Sequence, residues 1–167
     1  IIWNETIKAV RRLNPQTTLE TLIPDFQGNK INIDRIVEAA PEVVSHNLET
    51  VRRLTREVRI QAKYDQSLEV LSYLKQSGVN RTKSGIMLGL GEKEDEVFET
   101  LHDLRNADVE VVTLGQYLQP TKKHLAVKSF ITPDTFKKYE TVAKDLGFRH
   151  VESGPLVRSS YKAHKHV

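Results

Sequence analysis

Short apolar runs and amphipathic stretches take turns along nearly the whole chain, and that alternation limits what it can fold into. Ile7, Val10 and Leu13 recur at helical spacing within Asn4 to Asn14, and Thr17 to Pro24 then reads as a strand. Asp34 is placed to N-cap a helix through Ile36, Val37 and Ala40 that Pro41 stops, and Glu42 to Ser45 reads as a short buried strand. Leu48, Val51, Leu54 and Val58 continue at helical period. Leu68, Leu71 and Leu74 mark a further helix starting near Asp65 to Ser67, with Gly78 suited to its C′ position. Thr82 to Leu90 is the clearest strand, followed by a helix with Val97, Leu101 and Leu104 and a strand from Val109 to Leu118. Thr132-Pro133 opens a last helix that Gly147 ends, and Phe148 to Glu152 is a final strand. Strands and helices in this order predict an open α/β parallel sheet of about five strands with helices on one face, too few to close an eight-stranded barrel.

In such folds ligands sit at the carboxyl ends of the strands. Those ends are Asp25 to Gly28, His46-Asn47, Gly89 to Glu92, Gln116 to Pro120 and Ser153 to Ser159, where the polar, Gly and Pro residues concentrate. The run Gly154-Pro155-Leu156-Val157-Arg158-Ser159-Ser160-Tyr161 joins a backbone punctuation mark to a basic residue, two hydroxyls and a phenol. Those residues suit a site better than a core.

The 167 residues fit one domain, with 25 basic and 22 acidic side chains giving a net charge of only +3. The balance gives no case for nucleic acid, and no apolar run approaches the roughly 20 residues of a membrane helix. The start, Ile1-Ile2-Trp3, has neither an initiator Met nor the basic and apolar regions of a signal peptide, so Ile1 reads as internal to a longer protein. With no cysteine, the chain carries neither a disulfide framework nor a thiolate-bound metal.

Several local features have plain structural readings. Gly89-Leu90-Gly91-Glu92 resembles a phosphate loop, but Glu92, Glu94, Asp95 and Glu96 crowd the helix start and would repel phosphate; a tight turn is favoured. His46 reads first as a hydrogen-bonded structural residue, and the Arg52, Arg53, Arg56, Arg59 stripe as a solvated face. His164 and His166, in a basic tail with Lys162 and Lys165, lack the further ligands a zinc site needs.

Several stretches together resemble lipoyl synthases, and the resemblance covers essentially the whole chain. They are Thr18 to Phe26, Val43 to Val51, Tyr64 to Leu68, Thr82 to Glu92, Gly115 to Thr121 and the Arg158-Ser159-Ser160-Tyr161 motif. These are radical S-adenosylmethionine enzymes that insert sulfur at C6 and C8 of a protein-bound octanoyl-lysine. The resemblance implies a partial (β/α)6 TIM-like barrel, of which this chain is the C-terminal half. Residues 1–150 would be barrel, and 151–167 an extension bearing the Arg-Ser-Ser-Tyr motif.

For the intact enzyme, the resemblance implies two 4Fe-4S clusters and S-adenosylmethionine as cofactors. It makes Ser159 a ligand of the auxiliary cluster, with Arg158 supporting it. It assigns His46, Asn47, Glu49, Met87, Leu88, Gln116, Tyr117 and Leu118 to the S-adenosylmethionine site, with Asn47 foremost. The cluster cysteines of the family lie in an N-terminal half that this sequence does not contain, so the chain alone is expected to bind no cluster and to be inactive. Implied partners are that missing half and octanoylated lipoyl-carrier domains, either the E2 of 2-oxoacid dehydrogenases or the glycine cleavage H protein, with neither nucleic acid nor membrane. The implied location is the cytoplasm, or the mitochondrial matrix in a eukaryote. The alternative is a non-catalytic half-barrel that holds an adenosyl ligand or a carrier domain.

Overall fold

The computed structural model describes residues 2–167; Ile1, read above as internal, lies outside them. The described residues form one five-stranded sheet, parallel throughout, with its strands in chain order: β1 Glu20–Leu22, β2 Val43–Ser45, β3 Arg81–Leu88, β4 Val111–Gln116 and β5 His150–Gly154. Helices α1 Ile2–Leu13, α2 Lys30–Ala39, α3 Thr55–Val58, α4 Tyr64–Gln76, α5 Glu94–Asn106 and α6 Pro133–Asp145 punctuate them. Sequential parallel order with crossover helices gives the curved open sheet predicted from the alternation.

The pleat sorts side chains between two faces. On the helix side, Val44 packs with Ile33, Ile36, Val70 and Leu74. Ile86, Leu88, Val112, Leu114 and Val151 pack with Leu101, Leu104, Phe136 and Ala143. Each fully buried Leu or Phe there contributes roughly 1.5–3 kcal/mol of apolar burial. On the concave side stand Leu22, Ser45, Lys83, Val111 and His150 in one register row, and Gly85, Thr113 and Glu152 in the next.

Three local expectations change. The helix after Gly28 begins at Lys30, not at Asp34, because the Asn29 side chain takes the cap by accepting from the Asn32 amide at 3.3 Å. Asp34 instead accepts from the Tyr73 hydroxyl. Leu48 to Val58 is not one helix. The Glu49 amide donates to Gly85 O and Glu49 O accepts from the Met87 amide, so the chain runs beside β3. Only Arg52–Leu54 and the single turn of α3 are helical there. The helical period of Leu48, Val51 and Leu54 reflects their shared burial in the core. Finally, α4 starts at Tyr64 with no side-chain cap, and Asp65 pairs with Arg52 at 2.5 Å.

The tail is the largest departure from a plain open sheet. β5 crosses the expected boundary at residues 150 and 151, and residues 155–166 then fold back over the concave face. His166 is completely buried, far from the solvated basic tail its neighbours suggested.

Candidate functional site

The carboxyl ends of β1 to β4 and the returning tail enclose a groove of about 530 Å³. Leu22, Asn47, Glu49, Met87, Arg158 and Ser159 stand around it. A side recess of about 310 Å³ shares Leu22, Asn47 and Glu49 with it and adds Trp3, Pro24, His46 and Arg59.

Two glycines clear the floor. A Cβ on Gly85 would fall 2.5 Å from Thr113 Oγ1 and 3.3 Å from Asn47 Oδ1. A Cβ on Gly115 would fall 2.3 Å from Val157 O, so only glycine lets the tail backbone lie on β4.

Asn47 projects from the end of β2. Its Nδ2 donates to Glu49 Oε1 at 3.2 Å, while its Oδ1 is buried without a partner. An orphaned buried carbonyl costs about 1–3 kcal/mol and marks a place where a donor from elsewhere fits. Burial raises the Glu49 carboxyl above its ordinary range; the Asn47 bond and the Arg59 charge pull against it. Glu49 also holds φ +67, a left-handed conformation set by its two backbone bonds to β3. Arg59 donates to Leu48 O and Ser67 Oγ and faces the recess; among the described residues no carboxylate pairs with it.

His46 is fully committed, with Nδ1 3.0 Å from Ile23 O and Nε2 2.9 Å from Ser67 Oγ, and burial lowers its pKa. It locks β2 to β1 and α4 and so aims Asn47. Leu88 is buried on the helix side, away from the groove that its neighbour Met87 lines. Gln116 and Tyr117 hold the loop that follows them. Gln116 Nε2 donates to Ser129 O and its Oε1 accepts from the Ile131 amide, while the Tyr117 hydroxyl donates to Leu125 O. Gln116 still touches the groove, Tyr117 lies in the core, and Leu118 is exposed at the rim. The structure thus gathers Asn47, Glu49, Met87, Gln116, Leu118, Arg158 and Ser159 around one groove, with His46 in the recess.

The Gly89 turn is filled by its own chain. Glu92 accepts from the amides of Gly89 and Leu90 at 2.6 and 2.9 Å, as the acidic helix start suggested. Arg52 and Arg53 are on the solvated face, paired with Asp65, Asp103 and Glu96.

Sequence reasoning missed Arg59, Lys83 and the floor glycines. Lys83 carried a visible signal: with Arg81 it puts two charges at the inward phase of a buried strand, and Glu20 in the first strand offers the matching carboxylate.

A donor-seeking carbonyl, a carboxylate and an unpaired guanidinium around a bare floor fit a ligand with both ammonium and carboxylate groups and a flat ring. The residues do not fit an iron–sulfur cluster on their own. The sequence has no cysteine, and no cluster of three or more acidic or imidazole groups stands together among the described residues. No helix among them is long and apolar enough to cross a membrane.

The chain is 77% identical over 167 residues to a lipoyl synthase of Flavobacterium johnsoniae and 74% identical to a mitochondrial lipoyl synthase of Nematostella vectensis. It covers 58% and 57% of those proteins, so it spans less than three fifths of the relatives it matches. Methylornithine synthase superposes with a TM-score of 0.60 at 15% identity, over 95% of this chain and 53% of that one, which speaks to fold alone. The Radical SAM superfamily model matches residues 3–104, more than half of the sequence. The chain belongs to the Radical SAM superfamily.

Proposed function

We propose that this chain is the C-terminal part of a lipoyl synthase, a sulfurtransferase acting on octanoyl-lysine of a lipoyl-carrier domain. The reading is carried by 77% identity to a lipoyl synthase across the whole chain, the groove-lining segments lying within the matched span. In the whole protein, S-adenosylmethionine beside a reduced four-iron cluster supplies the one-electron chemistry that breaks two unactivated C–H bonds. The cluster thiolates come from residues outside this sequence.

This chain's residues bind and orient. Asn47 Oδ1 accepts from an N–H or O–H of S-adenosylmethionine, relieving its orphaned state. Glu49 faces the cationic end of that molecule, and Arg59 receives its carboxylate, a pairing that suits the fork of a guanidinium. Gly85 leaves room for the flat adenosyl group, and Met87 and Leu118 border it. Leu88, Gln116 and Tyr117 support those walls from behind. Ser159 contributes one oxygen ligand to the auxiliary cluster, and Arg158 places a cation beside it. A hard oxygen suits iron less than thiolate does, so Ser159 would be the weakest-held corner of such a cluster.

The test is anaerobic reaction of the full-length protein, with clusters reconstituted, on an octanoylated carrier peptide and S-adenosylmethionine. The expected product gains two sulfur atoms on the acyl chain by mass spectrometry. A protein with both clusters loaded that leaves the octanoyl mass unchanged, beside an active Flavobacterium johnsoniae control, overturns the proposal.

A further inference from the structure

Lys83 stands in the middle of β3, points to the concave face and is completely shielded from water. Withdrawing an ammonium from water costs several kcal/mol unless paired donors and acceptors replace the solvent. Its Nζ donates to both oxygens of Glu20 at 2.8 Å and to the carbonyl of Ser159 at 2.5 Å, and lies 3.2 Å from His166 Nδ1. Burial and the Lys83 charge hold the His166 imidazole down to about 4, so it is neutral and Nδ1 can accept. One residue earlier on the same face, Arg81 Nη1 donates to His166 O at 2.8 Å. Two basic side chains of β3 therefore grip the tail at Ser159 and at His166, and Glu20 in β1 fixes the direction of the inner one. Ser45 Oγ also donates to Glu20 and braces the same carboxylate.

We propose that Lys83 is a positioning residue that carries Ser159 to the rim of the groove by holding its carbonyl, with Glu20 as the carboxylate that aims it. The proposal rests on the reading that Ser159 serves the site. A buried ion pair that merely stabilised the sheet would have no need of a tail carbonyl among its partners. The exposed Lys162–Glu152 pair, by contrast, ties the tail to β5 and not to β3.

The experiment is amide hydrogen exchange on the full-length protein carrying Lys83→Met, Glu20→Gln or, as control, Lys162→Met. Lys83→Met is expected to speed exchange at residues 157–166 by about tenfold or more while amides of β3 and β4 keep their rates, the mark of local rather than global opening. Glu20→Gln is expected to move the same amides less, and Lys162→Met not to move them. Equal acceleration throughout the sheet, or an unchanged tail, overturns the proposal; should Lys83→Met fail to fold, Glu20→Gln decides on the same criterion. Ser159→Ala separates the two layers. Full sulfur insertion by Ser159→Ala with a loosened tail in Lys83→Met refutes the role of Ser159 and keeps the clamp. Lost insertion with an unmoved tail refutes the clamp.

Discussion

Asn47 and Glu49 share one hydrogen bond, Nδ2 to Oε1 at 3.2 Å, and between them present an unpartnered carbonyl oxygen and a carboxylate to the same groove. The pair is held from outside. Glu49 is bonded through its backbone to β3 on both sides, and Asn47 follows directly on the locked ring of His46. The free protein gains little from Asn47 Oδ1, so the residue's contribution appears when a ligand arrives.

Asn47→Ala should therefore separate binding from stability. S-adenosylmethionine affinity of the full-length protein is expected to fall by about tenfold, equivalent to one lost hydrogen bond of about 1.4 kcal/mol. Unfolding free energy should change by less than about 1 kcal/mol. Titration calorimetry and urea denaturation on the same preparation check both halves.

Gly85→Ala tests the floor. The added methyl meets Thr113 Oγ1 inside contact distance, and overpacking of this kind costs about 1–3 kcal/mol. Thr113→Ala in the same molecule removes the nearest clashing atom and should recover most of the loss. Chemical denaturation of the single and double variants measures the coupling.

Acid should destabilise the fold earlier than carboxylates alone would. The buried His166 is held down to about 4 against an ordinary 6.5, and His46 is lowered in the same direction. A folded-state pKa below the unfolded one means that the unfolded chain takes up the proton first. Stability is thus fully present above pH 6.5 and is lost as pH falls from 6.5 toward 4, by about 1–3 kcal/mol for one such histidine. Denaturation curves across that window should show the slope, and His166→Gln should flatten part of it.

The loop after β4 should open when its staples are cut. Gln116→Leu removes the bonds to Ser129 O and the Ile131 amide, and Tyr117→Phe the bond to Leu125 O. Trypsin is expected to cleave at Lys122 and Lys123 several-fold faster in either variant, while β3 and α5 stay protected. Peptide mapping over time measures this.

The strand and helix order was legible in the chain because alternation of apolar and amphipathic runs reports burial directly. Asn47 and Ser159 followed from that order, whereas Glu49 and Met87 came only from the resemblance; all four line one groove. Boundaries were less legible. Leu48, Val51 and Leu54 keep helical spacing although Glu49 between them gives its backbone bonds to β3, because spacing records which residues are buried and not which backbone donors are already taken. Leu88 and Met87 are adjacent in sequence, but the pleat turns them to opposite faces, a distinction that motif likeness alone does not make. Least legible was the tail. Lys162, His164 and Lys165 have the composition of a solvated end, whereas His166 is buried against Lys83 through contacts more than eighty residues apart in sequence.

Glu92 closes the Gly89 turn to other anions. Its carboxylate already occupies the two amides at the Gly89 turn, so the anion hole that a strand-to-helix turn would offer is closed from within. A phosphate arriving at that turn would meet a negative charge and two donors already taken.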